Sequence, residues 1–162
     1  MISELLHRPE GHFDFSTIGP FFANKRVLIT GAAGSVGSAL SLKLAELGCS
    51  HLAMLDQDDH GLIDIVEAVV RAAPTLPTTD ILCDIRDFGR LEAWMRRVEP
   101  EIVIHAAALK HVHVGERHPT EYVITNLMGV RNAAMAASKA GAAQFVMISS
   151  DKAVRPTNIM GC

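Results

Sequence analysis

Apolar positions along the chain alternate between two patterns. Arg26-Val-Leu-Ile-Thr30 is a short apolar run that ends in glycines, the pattern of a strand buried on both faces. Val36, Leu40, Leu44 and Leu47 follow at helical spacing, and Gly48 stands where a helix-ending glycine belongs, so they predict an inward stripe of a first helix. His51 to Leu55 predicts a second strand ending at Asp56. Asp58 or Asp59 then caps a helix through about Ala73, closed by Pro74. Asp80 to Cys83 predicts a third strand. A helix from about Asp87 to Val98 comes next, with Leu91, Trp94, Met95 and Val98 on one face. Ile102-Val-Ile-His105 is the fourth strand, Pro119 begins a long helix to about Ala140 stopped by Gly141, and Gln144 to Ser149 is the fifth strand. Residues 1–24 contain Pro9, Gly11, Gly19 and Pro20 and read as a lead-in arm with at most a short helical turn. Residues 25–162 then form one α/β domain, a doubly wound parallel sheet of order 3-2-1-4-5. Its ligand belongs at the carboxyl ends of strands 1 and 4.

Composition narrows the class. The 162 residues are 49% hydrophobic and 20% charged, with a formal net charge of −3, which is the balance of a folded domain. No run of one sign suggests nucleic acid or a membrane surface as partner. An anionic ligand must therefore be held by local geometry. Cys49, Cys83 and Cys162 fit no metal or disulfide spacing and read as reduced thiols of a cytoplasmic protein. No stretch approaches the roughly 20 apolar residues of a membrane span, and Met1 to Gly11 has no apolar signal core.

The chemistry begins in the first strand–helix turn, Thr30-Gly31-Ala-Ala-Gly34-Ser35-Val36-Gly37. Gly31 permits the turn, Gly34 lets backbone approach a pyrophosphate, and Gly37 lets the helix pack on the sheet. The helix start at Ser35 and Val36 offers unpaired N–H groups and a positive dipole end to the phosphates. Asp56 ends the second strand, where a carboxylate accepts hydrogen bonds from the adenosine ribose hydroxyls. It repels a 2′-phosphate, which favours NAD; NADP stays open only if neighbouring cations offset it. This is the fingerprint of a dinucleotide-binding Rossmann domain.

The spacing T-G-x-x-G-x-x-G resembles the extended short-chain dehydrogenase/reductase superfamily. Asp84-Ile-Arg-Asp87 follows strand 3, His105-Ala-Ala-Ala-Leu-Lys110-His111-Val follows strand 4, and Thr125-Asn126 lies in the long helix. Ser149-Ser150-Asp151-Lys152-Ala and Pro156-Thr-Asn158-Ile-Met160-Gly161 follow strand 5. From about Leu5 to Cys162 the series resembles bacterial UDP-N-acetylglucosamine 4,6-dehydratases of polysaccharide biosynthesis, in their large form. The resemblance implies a redox-neutral dehydration. NAD(P)+ takes hydride from C4 of the sugar, the 4-ketone acidifies the C5 proton, water leaves across C5 and C6, and hydride returns to C6. It implies Asp151 as the acid that protonates the departing 6-hydroxyl, Lys152 as the base at C5, and Ser150 as a hydrogen-bond partner of O4. It also implies cofactor contacts from Asp84 and the backbone of Ile85 to adenine. Ala106, Ala107 and Ala108 would lie beneath the dinucleotide, Lys110 and Asn126 on its ribose side, and Ser149 at the end of strand 5. Adjacency of Asp151 and Lys152 favours the charged form of each, the reverse of what the two roles require, so the pocket must counter it.

Two departures qualify the resemblance. Met160 occupies the position of the superfamily's catalytic Tyr, as in the large members, and a thioether abstracts no proton; the C4 oxidation is left without an assigned base, with Lys152 one candidate. The chain also ends at Cys162, before the superfamily's ribose-binding Lys and its substrate lobe. The expectation is therefore a cofactor-binding portion, inactive alone, of a cytoplasmic enzyme whose full-length parent can be anchored at the inner membrane. A UDP-sugar is the expected substrate partner. The superfamily's long helix forms a two-helix dimer face, so a homo-oligomer is expected. His111, His113 and His118 do not complete a metal set, and His105 reads as a buried, hydrogen-bonded histidine. The alternatives are a nucleotide-sugar 4-epimerase of the same superfamily, which has no use for the elimination pair, and a non-catalytic NAD(P)-binding protein.

Overall fold

The computed structural model describes residues 15–161. Helix α1 (Phe15–Phe22) leads into β1 (Arg26–Thr30), α2 (Ser35–Glu46), β2 (His51–Asp56), α3 (Asp59–Ala72), β3 (Thr78–Leu82), α4 (Phe88–Val98) and β4 (Ile102–His105). Short helices α5 (Val112–Arg117) and α6 (Pro119–Tyr122) follow, then a π-helical turn at Val123–Gly129, α7 (Val130–Lys139), β5 (Gln144–Met147) and a 3₁₀ turn at Asp151–Ala153. The five strands are parallel in the order β3-β2-β1-β4-β5, as the alternation of strands and helices predicts.

Both faces of the sheet are covered, which is why its central strands are apolar throughout. Val27 and Ile29 of β1 face one way, with Leu52 and Met54 of β2, against Leu44 of α2 and Leu62, Ile65 and Val69 of α3. Leu28, Ala53, Leu55 and Val103 face the other way, against Leu91, Met95 and Val98 of α4 and Ala133, Ala136 and Ala137 of α7. The alanine stripe of α7 is thus close helix packing.

Several boundaries and faces differ from the sequence reading. The inward face of α2 is Gly37, Ser41 and Leu44, while Val36 is exposed. Small residues win because a Cβ on Gly37 would strike Gly31 O and Ala32 Cα; the helix sits too close for a valine stripe. Ser41 Oγ donates to Gly37 O at 2.9 Å, so the buried hydroxyl is satisfied. Strand β3 begins two residues early, at Thr78, and β5 ends at Met147, although Ile148 N still donates to His105 O. Asp58 occupies the N-cap of α3 without a side-chain cap bond, whereas Asp87 caps α4 by accepting from Arg90 N at 3.1 Å. The helix from Pro119 is not uniform, since the π turn interrupts it, and α5 lies in what reads as loop. Of the lead-in arm, residues 15–22 are helical despite Pro20; residues 1–14 and Cys162 lie outside the described residues. Among the described residues no helix is long and apolar enough to cross a membrane.

Candidate functional site

The strand ends open into a cleft of about 240 Å³. Its floor is the glycine loop after β1 (Gly31, Ala33, Gly34), and its walls are the ends of β2 (Leu55–Asp58), β3 (Cys83–Ile85) and β4 (Ala106–Leu109), with Thr125 reaching in from the π turn. This is the position the strand order predicts, where crossovers on either side of β1 diverge.

Each glycine of the loop has its own constraint. Gly31 has φ +72°, and a Cβ there would lie 2.5 Å from Ala107 N, so this residue joins the β1 turn to the β4 turn. Gly37 is buried beneath the loop. Gly34 is different: it is exposed, its φ is −71°, and a Cβ would meet only Gly31 O, at 3.3 Å. Chain packing tolerates a side chain at Gly34; the cleft does not gain room from one. Gly34 also caps α2 without a side chain, so the first N–H groups of that 12-residue helix, at Ser35, Val36 and Gly37, have no intrahelical acceptor. Positive dipole and open donors meet at the mouth of the cleft.

Asp56 is fixed by three backbone donors. Its Oδ2 accepts from Ala33 N at 2.9 Å, and its Oδ1 from Gln57 N at 2.8 Å and Asp58 N at 3.1 Å. The carboxylate thereby ties the end of β2 to the glycine loop. Its neighbours along the wall are Gln57 and Asp58, and the cleft lining contains no Lys or Arg.

Asp84 sits on the β3 wall. Its Oδ1 accepts from Arg86 N at 2.9 Å and its Oδ2 from Arg86 Nε at 2.7 Å. Partial burial works to raise this carboxyl, but the hydrogen bonds and charge of Arg86 outweigh it and hold the group below the usual range. On the β4 wall, Asn126 acts from the π turn. Its Oδ1 accepts from Leu109 N at 2.8 Å and its Nδ2 donates to Leu109 O at 2.9 Å, so one amide satisfies both backbone groups of a cleft residue. Beneath the floor, His105 Nδ1 and Thr30 Oγ1 share a hydrogen bond of 2.7 Å, and both residues are fully enclosed. Burial pushes the His105 imidazole down to about 4, so it is neutral at pH 7, as a buried, partnered histidine should be.

Of the residues singled out in the sequence, Gly31, Gly34, Asp56, Asp84, Ile85, Ala106, Ala107 and Ala108 line the cleft. Lys110 is exposed one residue beyond the wall, and Ser149 is exposed after β5. The motif Ser150-Asp151-Lys152 does not reach the cleft either, because β5 is the edge strand on the far side of β4. There the Asp151 carboxylate is 89% exposed and paired with Lys152 Nζ at 3.3 Å. Ser150 Oγ donates to Asp151 Oδ1 and accepts from Lys152 N, each at 3.2 Å. The hydrogen bond from Lys152, then that from Ser150, lowers the Asp151 pKa. This is the reverse of the raised pKa an acid at pH 7 requires, and the slight desolvation of this exposed group does not offset it. The segment beyond is anchored by Ile159 N donating to Glu116 Oε1 at 2.9 Å, with Gly161 packed on Lys152 O.

Sequence reasoning missed Ala33, Leu55, Gln57, Asp58, Cys83, Leu109 and Thr125 as cleft residues. All but Asp58 adjoin site residues it named, so neighbourhood to those residues, mostly at strand ends, was the available signal. Cys83 and Cys49 are free, buried thiols. Among the described residues no group of three or more His, Cys, Asp or Glu is placed to hold a metal ion.

The chain is 36% identical over 159 residues to the probable polysaccharide biosynthesis protein EpsC of Bacillus subtilis, covering 98% of this chain and 27% of that one. It is 36% identical over 140 residues to a UDP-N-acetylglucosamine 4,6-dehydratase (inverting) of Campylobacter jejuni, covering 86% and 40%. Among solved structures it is similar to a UDP-glucose-4-epimerase from Stenotrophomonas maltophila crystallised with NAD and formylated UDP-arabinopyranose. The TM-score is 0.72 and the identity 31%, over 80% of this chain and 38% of that one. The chain thus spans between about a quarter and two fifths of the length of these relatives. The family described as polysaccharide biosynthesis protein matches residues 27–162, nearly the whole described domain, and the chain belongs to that family.

Proposed function

We propose that residues 25–162 are the NAD-binding unit of a nucleotide-sugar 4,6-dehydratase of polysaccharide biosynthesis, acting on UDP-N-acetylglucosamine or a similar UDP-hexosamine. The observation that carries the cofactor reading is the cleft itself: a glycine loop clear of side chains, open helix donors at its mouth, and Asp56 fixed beside it without a cation. These residues fit a dinucleotide. Gly34 and the N–H groups of Ser35, Val36 and Gly37 would take the pyrophosphate, and Asp56 the adenosine ribose. Asp84 and Ile85 would hold adenine, and Ala106, Ala107 and Ala108 leave space along the β4 wall. Asn126 orders that wall through Leu109, and Lys110 and Ser149 would contribute from its outer rim. A second carboxylate, Asp58, strengthens the preference for NAD over NADP. When bound, NAD supplies reversible two-electron oxidation of the sugar.

For the elimination, Asp151 would donate a proton to the leaving 6-hydroxyl, Lys152 would remove the C5 proton, and Ser150 would bind O4. Their present ion pair must open and be desolvated by bound substrate for these roles. The identity to the Campylobacter jejuni dehydratase supports this reading. The structural similarity to a 4-epimerase favours a second one, a UDP-sugar 4-epimerase.

A chimera separates them. This chain replaces the matching portion of the Campylobacter jejuni dehydratase, and the product from UDP-N-acetylglucosamine is weighed by mass spectrometry. Loss of one water, abolished by Asp151→Asn and Lys152→Ala, supports the dehydratase. A product of unchanged mass, epimeric at C4, supports the epimerase. NAD binding without any product supports a non-catalytic dinucleotide-binding protein.

A further inference from the structure

The loop after β3 is held from three sides. Arg86 grips Asp84 through Nε at 2.7 Å, Nη2 at 2.6 Å and its own backbone N at 2.9 Å, and its Nη1 reaches Glu121 Oε2 of α6 at 3.1 Å. From α7, the buried Asn132 donates Nδ2 to Ile85 O at 3.1 Å and Arg86 O at 3.2 Å. From the π turn, Gly129 lies so close that a Cβ there would sit 2.6 Å from Ile85 Cδ1. Arg86 holds the one carboxylate of the β3 wall directly, and Asn132 and Gly129 hold the two residues that follow it.

The strand order says which end of a dinucleotide reaches that wall. With the pyrophosphate on the glycine loop after β1 and the ribose on Asp56 after β2, the base of the adenosine half extends toward β3, where Asp84 lines the cleft. An ionised carboxylate only accepts hydrogen bonds, and Arg86 fills three of its roughly four acceptor sites. The site left on Oδ1 suits the exocyclic amine of adenine. It repels the carbonyl oxygen that hypoxanthine carries at the same position.

We propose that Arg86, anchored by Glu121, is a positioning residue that fixes the Asp84 carboxylate as an acceptor for the cofactor's adenine amine, and so selects an adenine dinucleotide over its hypoxanthine counterpart. The proposal rests on the NAD reading above.

The test is calorimetric titration of the 162-residue chain with NAD and with nicotinamide hypoxanthine dinucleotide. The unmutated chain prefers NAD about tenfold, the worth of one charge-assisted hydrogen bond exchanged for a repulsion. Arg86→Gln lowers that preference to about twofold and leaves the affinity for the hypoxanthine dinucleotide nearly unchanged, a pattern that general loosening of the fold does not give. Glu121→Gln keeps the Arg86–Asp84 pairing, loses only the outer anchor, and lowers the preference about threefold. It decides the matter if Arg86→Gln does not fold. A full preference retained in the folded Arg86→Gln protein, or in Glu121→Gln where Arg86→Gln is unfolded, overturns the proposal and leaves the NAD reading standing. Equal binding of both dinucleotides by the unmutated chain does the same. No binding of either removes both.

Discussion

The side-chain amide of Asn126 both donates to and accepts from the backbone of Leu109, at 2.9 and 2.8 Å. It is the tie between the π turn and the β4 wall of the cleft. Asn126→Asp keeps the acceptor and removes the donor, leaving Leu109 O unsatisfied beside a carboxylate. The expected loss of stability is about 1–3 kcal/mol, read by urea denaturation. NAD affinity should fall with it, since Leu109 lines the cleft.

Gly34 and Gly37 should respond oppositely to one added methyl group. Gly37→Ala forces a Cβ into Gly31 O and Ala32 Cα, so the fold should lose about 3 kcal/mol or fail to form. Gly34→Ala meets only Gly31 O at 3.3 Å and has an ordinary φ, so stability should stay within about 1 kcal/mol. Its NAD affinity should nevertheless fall about tenfold, because the methyl occupies the approach to the pyrophosphate. Thermal denaturation and calorimetry on the two variants separate a packing glycine from a ligand glycine.

His105 makes stability depend on pH in a defined window. Its pKa is about 4 in the folded chain against an ordinary 6.5, so below 6.5 the unfolded chain takes up a proton that the folded chain refuses. Stability from this group is therefore complete above about pH 6.5 and is lost as pH falls toward 4, by up to roughly 3 kcal/mol. His51 acts in the same direction, lowered first by burial and then by the charge of Arg26. Denaturation midpoints measured from about pH 7 to pH 4.5 should fall, and His105→Gln should flatten much of the slope. An unchanged slope in that variant would show that other groups carry the dependence. The lowered carboxylates Asp84, Glu92, Glu101 and Asp151 add a loss of the same sign at the acid end of that range, as their unfolded forms protonate, so the His105→Gln comparison is read at its neutral end.

Asp151 and Lys152 offer a contrast between stability and activity. Their ion pair is exposed, so Asp151→Asn should change stability by less than about 0.5 kcal/mol. In the chimera the same change should lower dehydration at least about a hundredfold, the usual worth of a positioned proton donor. Parallel folding and turnover measurements distinguish a catalytic acid from a surface charge.

Much of this fold is legible in the sequence because its central strands are buried on both faces. Val27, Leu28 and Ile29 are all enclosed, so an unbroken apolar run ended by glycines marks β1, although the run itself does not say which residue faces which layer. The face of α2 was not legible. Spacing of large apolar residues favours Val36, but closeness to the sheet selects Gly37 and Ser41, and hydrophobic periodicity does not register small residues as inward. The π turn carries no local signature either; what it accomplishes, setting Asn126 on Leu109 and Gly129 on Ile85, is tertiary. The cleft was legible because it sits on strand ends that the pattern locates. For the Ser150-Asp151-Lys152 motif the electrostatics were legible, since Asp151 is lowered by its chain neighbours Lys152 and Ser150, but its place outside the cleft was not, because that follows from β5 lying at the sheet's edge.

We propose above that the cleft between the glycine loop and Asp56 holds NAD. Titrating the purified chain with NAD and NADP by calorimetry tests it most directly. The expected result is saturable binding of one NAD per chain, NADP weaker by about tenfold or more, and a preference lost in Asp56→Ser. Absence of NAD binding, or equal affinity for the two dinucleotides in the unmutated chain, would contradict it.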